Sequence, residues 1–215
     1  MKGQRDEKTI LVLLLCSKTW GAPITGLFNT GVDGVGALLS DAVSDAHFAI
    51  LGGDQAVTVA EASIPASWLP NGADSRWIWE QSNGQPANVT LTFRTTLDLT
   101  GLDPATAQVT GQWATDNAGN DILINCISTA QTSGGFNSFT AFMISSNFVS
   151  GINTVDFVVQ DSGDIAGFRA EFLSASADPP SNTVIPEPGT IATLAAGLIG
   201  LLLTCGVNRL GRCSK

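Results

Sequence analysis

The chain has no tyrosine, one histidine and four cysteines in 215 residues. The cysteines are scattered, at Cys16, Cys126, Cys205 and Cys213. Only Cys126 falls in the middle of the chain, so that region can close no disulfide of its own, and no C-x-x-C spacing offers a zinc site. His47 has no second histidine or nearby cysteine with which to share a metal, and no Ser-His-Asp order is readable around it. Basic residues are also few. Between residues 23 and 185 they are Arg76, Arg94 and Arg169, set against sixteen acidic residues, a net charge near −13. Such a surface repels nucleic acid and anionic lipid. It remains compatible with divalent cations and with solubility at a cell surface. Phosphate loops, dinucleotide fingerprints and nucleophile elbows are missing as well.

What is present is concentrated at the two ends. Lys2, Arg5 and Lys8 precede a short apolar core at residues 9–16, and Gly21-Ala22 is a small-residue pair. This reads as an export leader over residues 1–22. At the other end, residues 191–207 (IATLAAGLIGLLLTCGV) carry no charge. As a helix this stretch reaches roughly 26 Å, close to the thickness of a hydrocarbon core. Arg209, Arg212 and Lys215 follow and are expected to hold that end in the cytoplasm. Before the span, Pro186 and Pro188 keep the backbone extended on either side of Glu187. The expected organisation is therefore a leader (1–22), an exported domain (23–177), a proline-rich linker (178–190), one transmembrane helix (191–207) and a basic tail (208–215).

Pro186-Glu187-Pro188, a single apolar span and a short arginine-containing end resemble the PEP-CTERM sorting signal of bacterial surface and exopolysaccharide-associated proteins. The resemblance covers about the last 30 residues. It implies export and recognition by an exosortase-type membrane enzyme that acts near the motif. The protein would then reside transiently in the inner membrane and afterwards at the cell surface or in the extracellular matrix. It says nothing of what the exported domain does.

The domain reads as strand after strand. In the stretch from Val89 to Leu99, the side chains of Val89, Leu91, Phe93, Leu97 and Leu99 share one face, with Thr90, Thr92 and Arg94 on the other. Val155, Phe157 and Val159 alternate with polar residues, and Phe168, Ala170 and Phe172 alternate with Arg169 and Glu171. Shorter candidates lie at 48–51, 56–60, 109–114, 121–126 and 141–145, and no segment carries a helical period. About eight strands with one polar face each predict an all-β fold, an antiparallel β-sandwich. Residues 97–126 resemble galactose-binding-like jelly-roll domains through Leu97-Asp98-Leu99, the segment 109–113, Asp116-Asn117 and Ile122-Leu123-Ile124-Asn125. Cys126 departs from that pattern, where glycine is usual. The resemblance implies a jelly roll, and many such domains bind sugars.

Three site hypotheses follow. Asp116, Asn117, Asn120 and Asp121 place four oxygen-bearing side chains within six residues, the donor type calcium requires. The same residues also make a hairpin turn in which Asp and Asn bond their own backbone, and the sequence leaves both open. A second acidic group is Asp161-Ser162-Gly163-Asp164. Trp68, Trp77 and Trp79 offer aromatic faces that would stack on a glycan or pack in the core, while Trp113 falls on a core face. A hydrolase would have to work through carboxylates, Glu61, Glu80 or Glu171 among them, and nothing in the sequence pairs two of them. The reading is a non-enzymatic exported domain with a structural or adhesive role against exopolysaccharide. The alternative is a calcium-assisted, lectin-like carbohydrate-binding module.

Overall fold

The computed structural model describes residues 21–181. Residues 1–20 of the expected leader (1–22) and the sorting motif, apolar span and basic tail within 182–215 lie outside the described residues. The chain divides into one unit ending at Pro180 and a second beginning at Ser181. Among the described residues no helix is long and apolar enough to cross a membrane.

The described residues of the first unit are all-β and antiparallel, with eleven strands: β1 (Ala22–Pro23), β2 (Ser44–Ile50), β3 (Gln55–Thr58), β4 (Ile78–Trp79), β5 (Thr90–Asp98), β6 (Gln108–Asp116), β7 (Ala118–Ile124), β8 (Ile127–Ser128), β9 (Thr140–Ile144), β10 (Ile152–Gln160) and β11 (Gly167–Ala177). The helical content is two single turns of 3-10 helix, Glu61–Ser63 and Pro104–Thr106. Each predicted strand is found. The three missed ones, β1, β4 and β8, are two residues long.

Hydrogen bonding runs unbroken along the order β8-β7-β10-β5-β2-β3-β4-β11-β6-β9, with β1 added beside β11. The expected pair of separate sheets is thus one curled sheet. It folds back on itself so that side chains from β5 and β10 meet those from β11 and β6. Phe93 of β5 lies 4.8 Å from Phe168 of β11, Phe157 of β10 lies 5.0 Å from Phe168, and Trp113 of β6 lies 5.5 Å from Phe157, ring centroid to centroid. These rings are fully buried, as are Trp77, Trp79 and Phe48. Burying each contributes roughly 1.5–3 kcal/mol or more relative to exposure, which is what holds the curl closed.

The alternation in β5 is as its sequence dictates. Phe93 and Leu97 point into the core, joined by Thr95, while Arg94 and Thr96 face outward. Strand β11 differs from expectation. Gly167 through Glu171 are all buried, so Arg169 and Glu171 do not lie on a wet polar face. The segment 69–75 covers them: Arg169 donates to the Pro70 carbonyl at 2.6 Å and to the Ser75 hydroxyl at 2.6 Å. Two charges are tolerated there because they pair, with Arg169 Nη2 3.2 Å from Glu171 Oε1, and because Ser75 and Gln112 each donate to that carboxylate at 2.6 Å.

Candidate functional site

Three loops meet at one end of the sheet: the segment 83–88 ahead of β5, the β6–β7 turn at Asn117, and the loop 161–166 between β10 and β11. Short polar side chains join them. Gln85 Nε2 donates to the Asp164 carbonyl at 2.7 Å, and Asn88 Nδ2 donates to the Gly163 carbonyl at 3.3 Å. The Asn88 backbone N–H donates to Asp161 Oδ2 at 2.6 Å. Ser162 N–H donates to Asn117 Oδ1 at 2.6 Å, while Asn117 Nδ2 donates to Asp116 Oδ1 at 2.8 Å. Residues such as Asn, Asp and Gln suit these loops because their short side chains can replace the backbone partners that a turn lacks. The outcome is a polar surface of amide and carboxylate groups, the chemistry that sugar hydroxyls and hard cations both use.

Beneath this surface the site becomes acidic and dry. Asp116 is 6% exposed and Asp161 3%. Burial, and then the charge of Asp161, push the Asp116 carboxyl up to about 6, against a smaller downward pull from the Trp68 indole. The Oδ1 atom of Asp161 is buried and has no hydrogen-bond partner.

The structure sorts the sequence candidates clearly. Asp116 and Asn117 belong to this cluster. Asn120 and Asp121 do not sit on a loop with them, because β7 has already begun at Ala118. The ladder to β10 pairs Gly119 with Val159 and Asp121 with Val158, leaving Asn120 as the extra residue of a bulge, and its amide donates to Gln160 Oε1 at 3.1 Å. No group of three His, Cys, Asp or Glu side chains fit to hold a metal occurs among the described residues.

Trp68, Trp77 and Trp79 are 5%, 0% and 0% exposed. Of the two readings their sequence allows, packing in the core is therefore the one realised, and they form no stacking platform. Two of the indole N–H groups are used internally: Trp77 donates to the Leu69 carbonyl at 2.7 Å and Trp79 to the Pro86 carbonyl at 2.9 Å. Trp68 and Trp77 pack on each other at 4.5 Å against Gly167, where a β-carbon would come within 2.5 Å of the Trp68 ring. Aromatic residues two apart signalled a shared strand face, but that signal is the same for a face turned inward.

Of the carboxylates a hydrolase would need, Glu171 is held in the Arg169 network, and Glu61 accepts from Asn71 at 2.7 Å and lies 3.6 Å from Arg76. His47 is stacked on Phe28 at 3.7 Å, in β2. Cys126 is exposed and has no disulfide partner.

No known protein family and no curated protein matches the chain. Two solved structures align with it. CBM35 from Paenibacillus barcinonensis aligns at a TM-score of 0.37 and 13% identity, over 61% of this chain and 95% of that one. A family 35 carbohydrate binding module from an environmental isolate aligns at 0.34 and 11%, over 71% of this chain and 98% of that one. At this level the alignments assign no binding residue to this chain.

Sequence reasoning missed Gln85, Asn88 and the place of Asp161 in the site. Asp161 lies 45 residues from Asp116 and its acidic group was visible only as a separate segment. No local signal joins the two. The β10 pairing, which sets Gln160 opposite Ala118, brings their two segments together, with Asn117 between the acids.

Proposed function

We propose that this is an exported, non-catalytic surface protein. The leader (1–22) and the C-terminal tail carry a jelly-roll-like domain to the cell envelope, an exosortase-type enzyme acts near Pro186-Glu187-Pro188, and the domain takes a structural or adhesive role against exopolysaccharide. The observation that carries this reading is the order of motif, charge-free span and basic end over residues 186–215. The domain's charge supports display rather than nucleic-acid or anionic-lipid binding, since its three arginines face sixteen acidic residues. The test is Glu187→Ala in the producing cell. Sorting through the motif requires that the variant stay in the membrane fraction with its tail; normal delivery to the surface sinks the proposal.

A second reading, a carbohydrate-binding module, is favoured by the loop cluster of Gln85, Asn88, Asn117, Ser162 and Asp164. With the tryptophans buried, recognition would rest on hydrogen bonds to sugar hydroxyls rather than on stacking. Electrophoresis through gels containing the cell's own exopolysaccharide separates the two readings. A binding module is retarded in proportion to polymer concentration, and Asn117→Ala weakens the retardation. A passive matrix protein migrates unchanged.

A further inference from the structure

The acidic pair beneath the loop cluster is not neutralised by the protein around it. Asp116 and Asp161 are buried at 6% and 3% exposure, on the end of β6 and just after β10. Residues 21–181 contain no lysine, and their three arginines are committed elsewhere: Arg76 to Asp41 and Glu61, Arg94 to Asp156 in a two-point contact at 2.7 Å, and Arg169 to Glu171. Backbone donors serve only one side of Asp161. Its Oδ2 accepts from Asn88 N–H at 2.6 Å and from Gly163 N–H at 3.3 Å, while its buried Oδ1 accepts nothing. A buried carboxylate oxygen without a donor is costly and rare in native proteins.

The orphan oxygen and the Asn117 amide oxygen both lie beside Gly163. A β-carbon placed on Gly163 would lie 3.8 Å from Asp161 Oδ1 and 3.9 Å from Asn117 Oδ1, and would meet nothing closer. Asn117 bridges to the other acid, its Nδ2 lying 2.8 Å from Asp116 Oδ1. The donor set is all oxygen, with two carboxylates and one amide carbonyl. Oxygen-only sets of this kind favour a hard cation, and ligands drawn from irregular loops suit the larger, less exacting calcium over magnesium.

We infer that Asp116, Asn117 and Asp161 form a calcium-class cation site that pins the β6–β7 turn to the loop following β10. Loop carbonyls and water complete the coordination. The ligand set differs from a linear Asp116–Asp121 loop: Asp161 replaces Asn120 and Asp121. A cation here would order the same loops read above as a glycan surface. That consequence rests on the carbohydrate reading; cation binding itself does not.

The full chain in mild detergent, stripped with EDTA and dialysed, is titrated with CaCl2 or MgCl2 at neutral pH while its unfolding midpoint is followed. Calcium is expected to bind with a Kd of about 10⁻⁴–10⁻³ M, the range of extracellular modules. At a hundredfold excess over Kd it raises the midpoint by roughly 5–10 °C. Asp161→Asn keeps the side-chain shape and an acceptor for the Asn88 and Gly163 N–H groups, and it abolishes the response. Asp116→Asn, an independent second variant, does the same, and Asp121→Asn leaves the response intact. Absence of a calcium response in the unmodified chain overturns the inference. So does a response that survives both Asp161→Asn and Asp116→Asn, one lost in Asp121→Asn, or one equalled by magnesium. Polysaccharide retardation run in EDTA is read separately, so failure of the cation site and failure of the glycan reading are distinguishable.

Discussion

Removing the carboxylate of Glu171 is the sharpest perturbation of the fold. Arg169 is 2% exposed and Glu171 9%, so the pair is held away from water. Glu171→Ala takes away the only anion among the described residues in contact with Arg169, and it also strands the Ser75 hydroxyl and the Gln112 amide that donate to that carboxylate at 2.6 Å each. An uncompensated buried charge costs about 3–5 kcal/mol, a fifth or more of the stability of an ordinary domain, which is about 5–15 kcal/mol. In urea, with a slope near 2 kcal/mol per molar, the midpoint should fall by roughly 2 M. Tryptophan emission reports it well, because the covering segment 69–75 adjoins Trp68 and Trp77. The comparison is Asp41→Ala. Asp41 contacts Arg76 at the surface, its side chain is 45% exposed, and Arg76 retains the Leu39 carbonyl at 2.7 Å, so that loss should be about 1 kcal/mol or less. Replacing both members, Arg169→Met with Glu171→Leu, should recover most of the loss. The reasoning is refuted if Glu171→Ala costs no more than Asp41→Ala.

Three further outcomes are expected. Gly119→Ala drives a β-carbon to 2.3 Å from the Trp113 ring and should cost about 1–3 kcal/mol by urea unfolding, whereas Gly134→Ala, with nothing within 4 Å, should be near neutral. Because Trp68, Trp77, Trp79 and Trp113 are all buried, their emission should be blue-shifted and insensitive to iodide, and glycan addition should not quench it; strong quenching would place a tryptophan at the surface. In EDTA, the raised Asp116 carboxyl means that the folded chain binds a proton the unfolded chain has released. Its stabilising contribution is complete below the unfolded value of 3.8 and is lost as pH rises through about 6, an effect of the order of 2–3 kcal/mol. Stability in chelator that climbs between those values, with no flattening in Asp116→Asn, would contradict it.

The sequence was informative where a strand has one wet face. In β5 the period of two is interrupted on its core face only by Thr95, and the core residues Phe93 and Leu97 could be named from spacing alone. Legibility failed where both faces are covered. Trp77, Ile78 and Trp79 are all fully buried, so β4 shows no alternation. Arg169 and Glu171 keep the alternating pattern of an exposed face while lying under the segment 69–75. A period of two reports which side chains share a face, not whether that face meets water. The site was half legible for a related reason. Asp116 and Asn117 were picked from local composition, but local composition also drew in Asn120 and Asp121, which belong to a strand. The partner that matters, Asp161, is supplied by strand pairing across 45 residues, and pairing of that range leaves no trace in a short window.

The account's central claim is that the tail delivers this domain to the surface and is removed in the process. The intact mass of the protein recovered from the surface or medium of the producing cell tests that directly. A mass for a chain beginning near Pro23 and ending near Pro188 is the result the account requires. A mass that retains residues 191–215 would contradict it, and the protein would then be membrane-anchored without sorting.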